Sequence, residues 1–315
     1  MGNTLVAQDG GGVFSMDNGR VFSYHAVMRG FFLVAWCFCT LGLGTAQALT
    51  LVWDYTYDTG GFFTPDKRDI LDVVASRLSA VSINSTEIAP ETGNSWEWLF
   101  LNPTTGNLTS VVNPVAPAGE LRVFVGARAL SGDALAQSSH ALYTANGSAS
   151  WLGSLAARNT AQVFLPFAGG MAFDATTNWY TGISGSVTPG AYDFYSVAAH
   201  ELGHILGFNT PGIEAWVARS DQPNRLYVGV NATASYGGSI PLDSGLSHWA
   251  AGTKFSGHDM LMVPDIPTGV RNDWTAPEFG VFRDLGYAVI PEPVAALLFL
   301  GGALSFALSA RRRAW

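Results

Sequence analysis

The 315-residue chain predicts an α+β domain: a twisted mixed β-sheet, two main helices, and a C-terminal helix near residues 276–286. Three stretches carry that reading. Residues 120–128, Glu-Leu-Arg-Val-Phe-Val-Gly-Ala-Arg, are rich in β-formers and form the clearest central strand. Residues 65–81 place Ile70, Leu71, Val73, Val74, Leu78 and Val81 on one helical face. Residues 193–206 do the same with Val197, Ala198, Leu202, Ile205 and Leu206, between Asp193, a good N-cap, and Gly207, a natural stop.

Taken in order, residues 49–56 alternate and read as a first strand. Thr64-Pro65 opens the first helix, Thr64 as cap and Pro65 in the first turn. Residues 82–118 are rich in Asn, Thr, Ser, Gly and Pro and read as loop, with a short strand or hairpin near residues 96–101. Residues 161–167 read as a second strand, with Pro166 marking an end or edge, and residues 170–174 as a further short one. His140, alone in a Gly/Ser/Ala-rich stretch, reads as a solvated or packed side chain. Trp179-Tyr180 and a polar turn lead into the second helix, so strands feed it through a loop at the open side of the sheet. That is a natural cleft for an extended peptide paired with an edge strand.

Both ends of the chain carry export signals. Residues 1–27 read as a leader or an over-extended start. Residues 28–48 have the basic start, apolar run and Ala-x-Ala ending of a signal peptide, with cleavage expected after Ala48. Cys37 and Cys39, the only cysteines, both lie in it, so the exported chain is expected to have no disulfide and no thiol ligand. At the other end, Pro291-Glu292-Pro293 precedes an apolar run at 294–310 and then Arg311, Arg312 and Arg313. That run is long enough to span a membrane with the arginines on the cytoplasmic side.

Between these ends lies one domain, residues 49–289. Setting aside Arg20, Arg29, Arg311, Arg312 and Arg313 from the 16 basic residues, and Asp9, Asp17 and Glu292 from the 24 acidic ones, leaves 11 against 21, a net charge of −10. Such a surface argues against nucleic acid or an anionic membrane as partner.

The second helix carries the chemistry. His200 and His204 stand four apart, one turn along the same face, where their rings can hold one metal ion. Glu201 borders that line and can take a proton from a water in an open metal position, as a base and not a ligand. A catalytic zinc site needs a third protein ligand. The compact form, with His three residues beyond the Gly, is not met, since Thr210 stands there. Downstream His248 and His258 remain, with the carboxylates of Glu278 and, less attractively, Glu214.

Leu246-Ser247-His248-Trp249 followed by His258-Asp259-Met260-Leu261-Met262 resembles the leishmanolysin-type metzincins across residues 193–262. The resemblance implies a zincin/metzincin-like fold, a Zn2+ cofactor held by His200, His204 and His248, and Met262 in the methionine turn beneath the metal. It further implies an endopeptidase acting on protein or peptide substrates, with Glu201 as general base. The chain departs from that pattern in having Ala250 where Glu is common, in lacking the disulfides, and in offering Met260 beside Met262. His258 stays open as an alternative ligand. The tail, in turn, resembles the PEP-CTERM sorting signal. This implies an exosortase partner, membrane contact through residues 294–310 before processing, and a final place at a Gram-negative cell envelope, surface or extracellular matrix. A structural or adhesive matrix protein that keeps a non-catalytic zinc site is the rival expectation.

Overall fold

A computed structural model describes residues 47–208 and 212–289. The readings placed on residues 1–46 and 290–315, the signal, the leader and the tail, lie outside the described residues. The described part is a mixed α+β structure. Its principal sheet has four strands: β2 (Thr50–Asp54), β6 (Glu120–Arg128), β9 (Ala168–Asp174) and β7 (Ala136–His140), in the order β2-β6-β9-β7. The first three are parallel and β7 is antiparallel to β9 at the edge. No strand pairs with the outer side of β7 among the described residues.

Both faces of this sheet are covered, which is why β6 reads as a near-continuous apolar run. Leu121, Val123 and Val125 face the main core with helix α1 (Pro65–Arg77) and helix α3 (Phe194–Ile205), whereas Phe124 faces a second cluster built on Trp96, Trp98, Phe100 and Phe167. That second cluster belongs to an antiparallel sheet of β4 (Ser95–Leu101), β5 (Leu108–Val112) and β8 (Leu142–Asn146), closed by helix α2 (Ala149–Ala156). Within residues 82–118 the strand or hairpin expected near 96–101 is present as β4 paired with β5, and the rest is mainly loop and turn. β1 (Gln47–Ala48) and β3 (Val81–Ile83) complete the count up to β9; they pair with each other, and β3 pairs on its other side with residues Ala288–Val289.

Residues 161–167 are not a strand. The chain there turns, with Leu165 N–H on Arg158 O and Phe164 N–H on Leu285 O, and Pro166 has no N–H to give a ladder. The true strand starts at Ala168 and runs through the two glycines that weakened its apolar signal. They are needed there: a Cβ on Gly169 would lie 2.7 Å from Ile205 Cγ2 and one on Gly170 3.0 Å from Leu101 O, so β9 is pressed between α3 and β4.

The first helix occupies its predicted place, but its end differs. Val81 is buried in β3, beyond the helix, and the Thr64 hydroxyl bonds the Asp66 carboxylate instead of capping the backbone. Three further helices follow: α4 (Glu214–Val217), α5 (Val230–Tyr236) and α6 (Ala276–Asp284), the last at the predicted C-terminal site. Among the described residues no helix is long and apolar enough to cross a membrane.

Candidate metal centre

Helix α3 forms where its local signals place it. The Asp193 carboxylate accepts Ser196 N–H at 3.1 Å, the N-cap bond, and is itself held by Arg271 through Nε at 2.9 Å and Nη2 at 2.7 Å. At the other end Gly207 takes φ +120°, outside the range of an ordinary side chain, and Phe208 N–H returns to Gly203 O at 3.0 Å. That turn does more than stop the helix, because it brings Phe208 O to 2.6 Å from His204 Nδ1. All twelve residues of α3 are buried, and the face carrying Val197, His200, Glu201 and His204 floors a cleft.

The structure brings His200, His204 and His248 together and leaves the other candidates elsewhere. Ring nitrogens of the three lie within 4.8 Å of one another, and His204 Nε2 stands 3.1 Å from the Nε2 atoms of both His200 and His248. His258 is exposed on a two-residue strand paired with Lys254–Phe255 and belongs to a different cavity. Glu214 is exposed in the first turn of α4. Glu278 is fully buried but faces Met262 N–H at 2.8 Å, Trp249 Nε1 at 3.2 Å and Thr275. It braces the segment behind the site and takes no part in the cluster.

Each imidazole is oriented from behind. Nδ1 of His200 faces Leu261 O at 2.9 Å, Nδ1 of His204 faces Phe208 O, and Nδ1 of His248 lies 3.4 Å from Asp243 Oδ2. Carbonyl and carboxylate oxygens only accept, so each Nδ1 carries the proton and each Nε2 presents a lone pair to the centre. Three lone pairs so close repel unless a cation sits among them. Two ligands on one tetrahedral zinc, each about 2.0–2.1 Å away, stand about 3.4 Å apart, so the donor set suits that ion. Burial, then the neighbouring His204, hold His200 well below the usual histidine range and lower His248, whose drop Asp243 opposes. Both effects keep the rings neutral, the form a metal needs.

Glu201 is 7% exposed beside these rings, and burial raises its carboxyl above the ordinary value. The Ser138 hydroxyl donates to its backbone carbonyl at 2.8 Å, tying edge strand β7 to the helix. Met262 is fully buried against the helix: a Cβ on Gly203 would overlap its Sδ. Met260 is buried too, but Met262 is the one in contact with α3 at that point.

The cleft above these groups has a volume of about 770 Å³. One wall is β7 with the loop before it, and the other is the chain after Met262 at Pro264, Asp265 and Ile266.

Asp243 was not read from the sequence. Besides facing His248 Nδ1, its carboxylate accepts Ser247 N–H at 3.1 Å and His248 N–H at 3.3 Å, closing the Asp-Ser-Gly turn on which the third histidine is presented. That turn chemistry, just before Ser-His-Trp, was the available signal.

The Matrixin family model (Peptidase_M10) matches residues 153–212, from within α2 to just beyond α3. No curated protein sequence matches the chain. With the mixed α+β fold and the three-histidine cluster, the Matrixin match supports a zinc metalloprotease of metzincin type. The match ends before His248.

Proposed function

We propose that the protein is an exported zinc endopeptidase that cleaves extended peptides, with His200, His204 and His248 as metal ligands and Glu201 as general base. The observation that carries this reading is the convergence of three back-held imidazoles beside a buried carboxylate, on the floor of a cleft flanked by an unpaired strand edge. His200, His204 and His248 would hold the zinc, which would supply Lewis-acid polarisation and acidify a bound water. Glu201 takes a proton from the attacking water and returns it to the leaving amine nitrogen, so one carboxylate acts as base and then as acid. The free edge of β7 offers backbone N–H and C=O groups to an extended substrate, aligning it along the cleft. Met262, packed against Gly203 of the helix, serves in this reading as the methionine of the turn, and the Ser-His-Trp segment supports a leishmanolysin-like third ligand. The same proposal includes export through residues 28–48, and a sorting tail at 290–315 processed by an exosortase at the cell envelope.

The test is zinc content and peptide hydrolysis of the wild type and Glu201→Gln. Both should bind one zinc, and the substitution should lower kcat by at least about 100-fold. Undiminished hydrolysis by Glu201→Gln would remove Glu201 from its role. Zinc bound by a wild type that cleaves no peptide would favour the structural rival.

A further inference from the structure

We propose that this cleft selects peptides bearing Lys or Arg close to the bond that is cut, and that Asp133 and Asp265 read that charge. The inference rests on the peptidase reading above and adds a substrate class to it.

Two carboxylates face the cleft from opposite walls. Asp133 lies in the loop leading into β7, and Asp265 follows Met262 by three residues. No Lys or Arg lines the cleft among the described residues. Arg128, on the neighbouring strand, directs its guanidinium to Pro103 O at 2.8 Å and Gln137 Oε1 at 2.9 Å, and it is not part of the lining. Asp265 is close enough for its charge to act on His248.

The remaining charges at the site balance without them. Three neutral imidazoles leave a zinc dication's charge uncompensated, and Glu201 beside it and Asp243 behind His248 offset that charge. Asp133 and Asp265 are therefore surplus negative charge at the rim, both exposed to solvent and carried on a domain whose overall charge is also negative. A cationic side chain is drawn to such a rim and an anionic one repelled. Between the two, Leu101, Leu135, Val197 and Ile266 supply apolar contact for the residues at the bond itself.

The experiment uses the zinc-loaded full chain and matched fluorogenic peptides that share an apolar centre and differ only in Lys, Gln or Glu two to four residues from the cleaved bond. The Lys peptide should be cleaved with the highest kcat/KM and the Glu peptide with the lowest. Each exposed carboxylate contributes about 2- to 5-fold to the Lys:Gln ratio. Asp133→Asn with Asp265→Asn should bring the ratio to one in a chain that still binds one zinc and melts as the wild type does, and 0.5 M salt should shrink it in the wild type. Equal cleavage of the three peptides, a preference for Glu, or a Lys preference that survives the double substitution overturns the proposal while leaving the peptidase reading intact. Failure to cut any peptide, with zinc bound, overturns both.

Discussion

Replacing Glu278 tests the frame behind the three imidazoles. Its fully buried carboxylate accepts Met262 N–H at 2.8 Å, Trp249 Nε1–H at 3.2 Å, Thr275 N–H at 2.8 Å and the Thr275 hydroxyl at 2.7 Å. In Glu278→Ala the first two donors are left buried without an acceptor, at about 1–3 kcal/mol each. Loss of the cap on α6 adds about 1 kcal/mol. The total, about 3–7 kcal/mol, is a large share of the 5–15 kcal/mol that holds a typical domain together, roughly. Glu278→Gln keeps the shape and one acceptor oxygen but turns an NH2 group toward donors, costing about 2 kcal/mol.

At about 2–4 °C per kcal/mol, calorimetry on the zinc-free chain should show the Gln variant melting roughly 4–8 °C low and the Ala variant roughly 6–28 °C low. The consequence reaches the metal. Trp249 N–H donates to Met262 O at 2.9 Å, and the next carbonyl back, Leu261 O, holds the His200 ring. Slackening that segment frees two of the three rings, so zinc affinity measured against a chromophoric chelator should fall by about 10- to 100-fold in the Gln variant. A Glu278→Gln protein with wild-type melting and wild-type zinc affinity would refute the argument.

Other substitutions probe separate parts of the same arrangement. Asp243→Asn keeps an acceptor for the turn but removes the charge behind His248 Nδ1, and should weaken zinc binding by about 10-fold with little change in apo stability, read by the same competition assay. Gly203→Ala puts a methyl group into Met262 Sδ and should cost about 1–3 kcal/mol in denaturant unfolding; a neutral result would show that Met262 does not press on the helix. His140 is packed against Phe164, its Nδ1 buried without a partner, and burial lowers its pKa from 6.5 to about 4. Above 6.5 neither folded nor unfolded chain protonates there. As pH falls toward 4 only the unfolded chain takes the proton, so stability drops by about 3 kcal/mol, and denaturation midpoints at pH 7 and 4.5 should show His140→Leu losing that part of the dependence.

The helix that carries the motif was legible because its signals are local. Asp193, the apolar positions and Gly207 each act within one or two turns, so their meaning does not depend on the rest of the fold. β6 was legible for a related reason, since a strand covered on both faces must be apolar throughout. β9 was legible in part: residues 170–174 read as a short strand, but its start at Ala168 and Gly169 was missed and a further strand was placed on the preceding turn at residues 161–167, because the glycines answer to Ile205 and Leu101, close in space but remote in sequence. Of the sheet of β4, β5 and β8, the strand or hairpin near residues 96–101 was legible, since Trp96, Trp98 and Phe100 alternate on one face as a half-buried strand requires, whereas β8 was hidden in a Gly/Ser/Ala-rich stretch.

The carboxylates show most plainly where sequence reasoning stops. Glu201, Asp243 and Glu278 are the same chemistry in one dimension, and Glu278 stood as a candidate ligand because nothing local excluded it. What distinguishes them is who donates to each. Glu278 receives N–H groups from residues 16 and 29 positions away, which saturate its oxygens and leave none for a metal. Asp243 receives the N–H groups of its own turn and turns its second oxygen to an imidazole, which makes it an orienting group. Glu201 has its backbone carbonyl tied to the Ser138 hydroxyl, while its side chain lines the cleft beside the three rings, the place the proposed base requires. The three carboxyl groups thus divide into a brace, an orienting group and the proposed base by the neighbours each has met, and for Asp243 and Glu278 those neighbours are supplied only by the chain after residue 240.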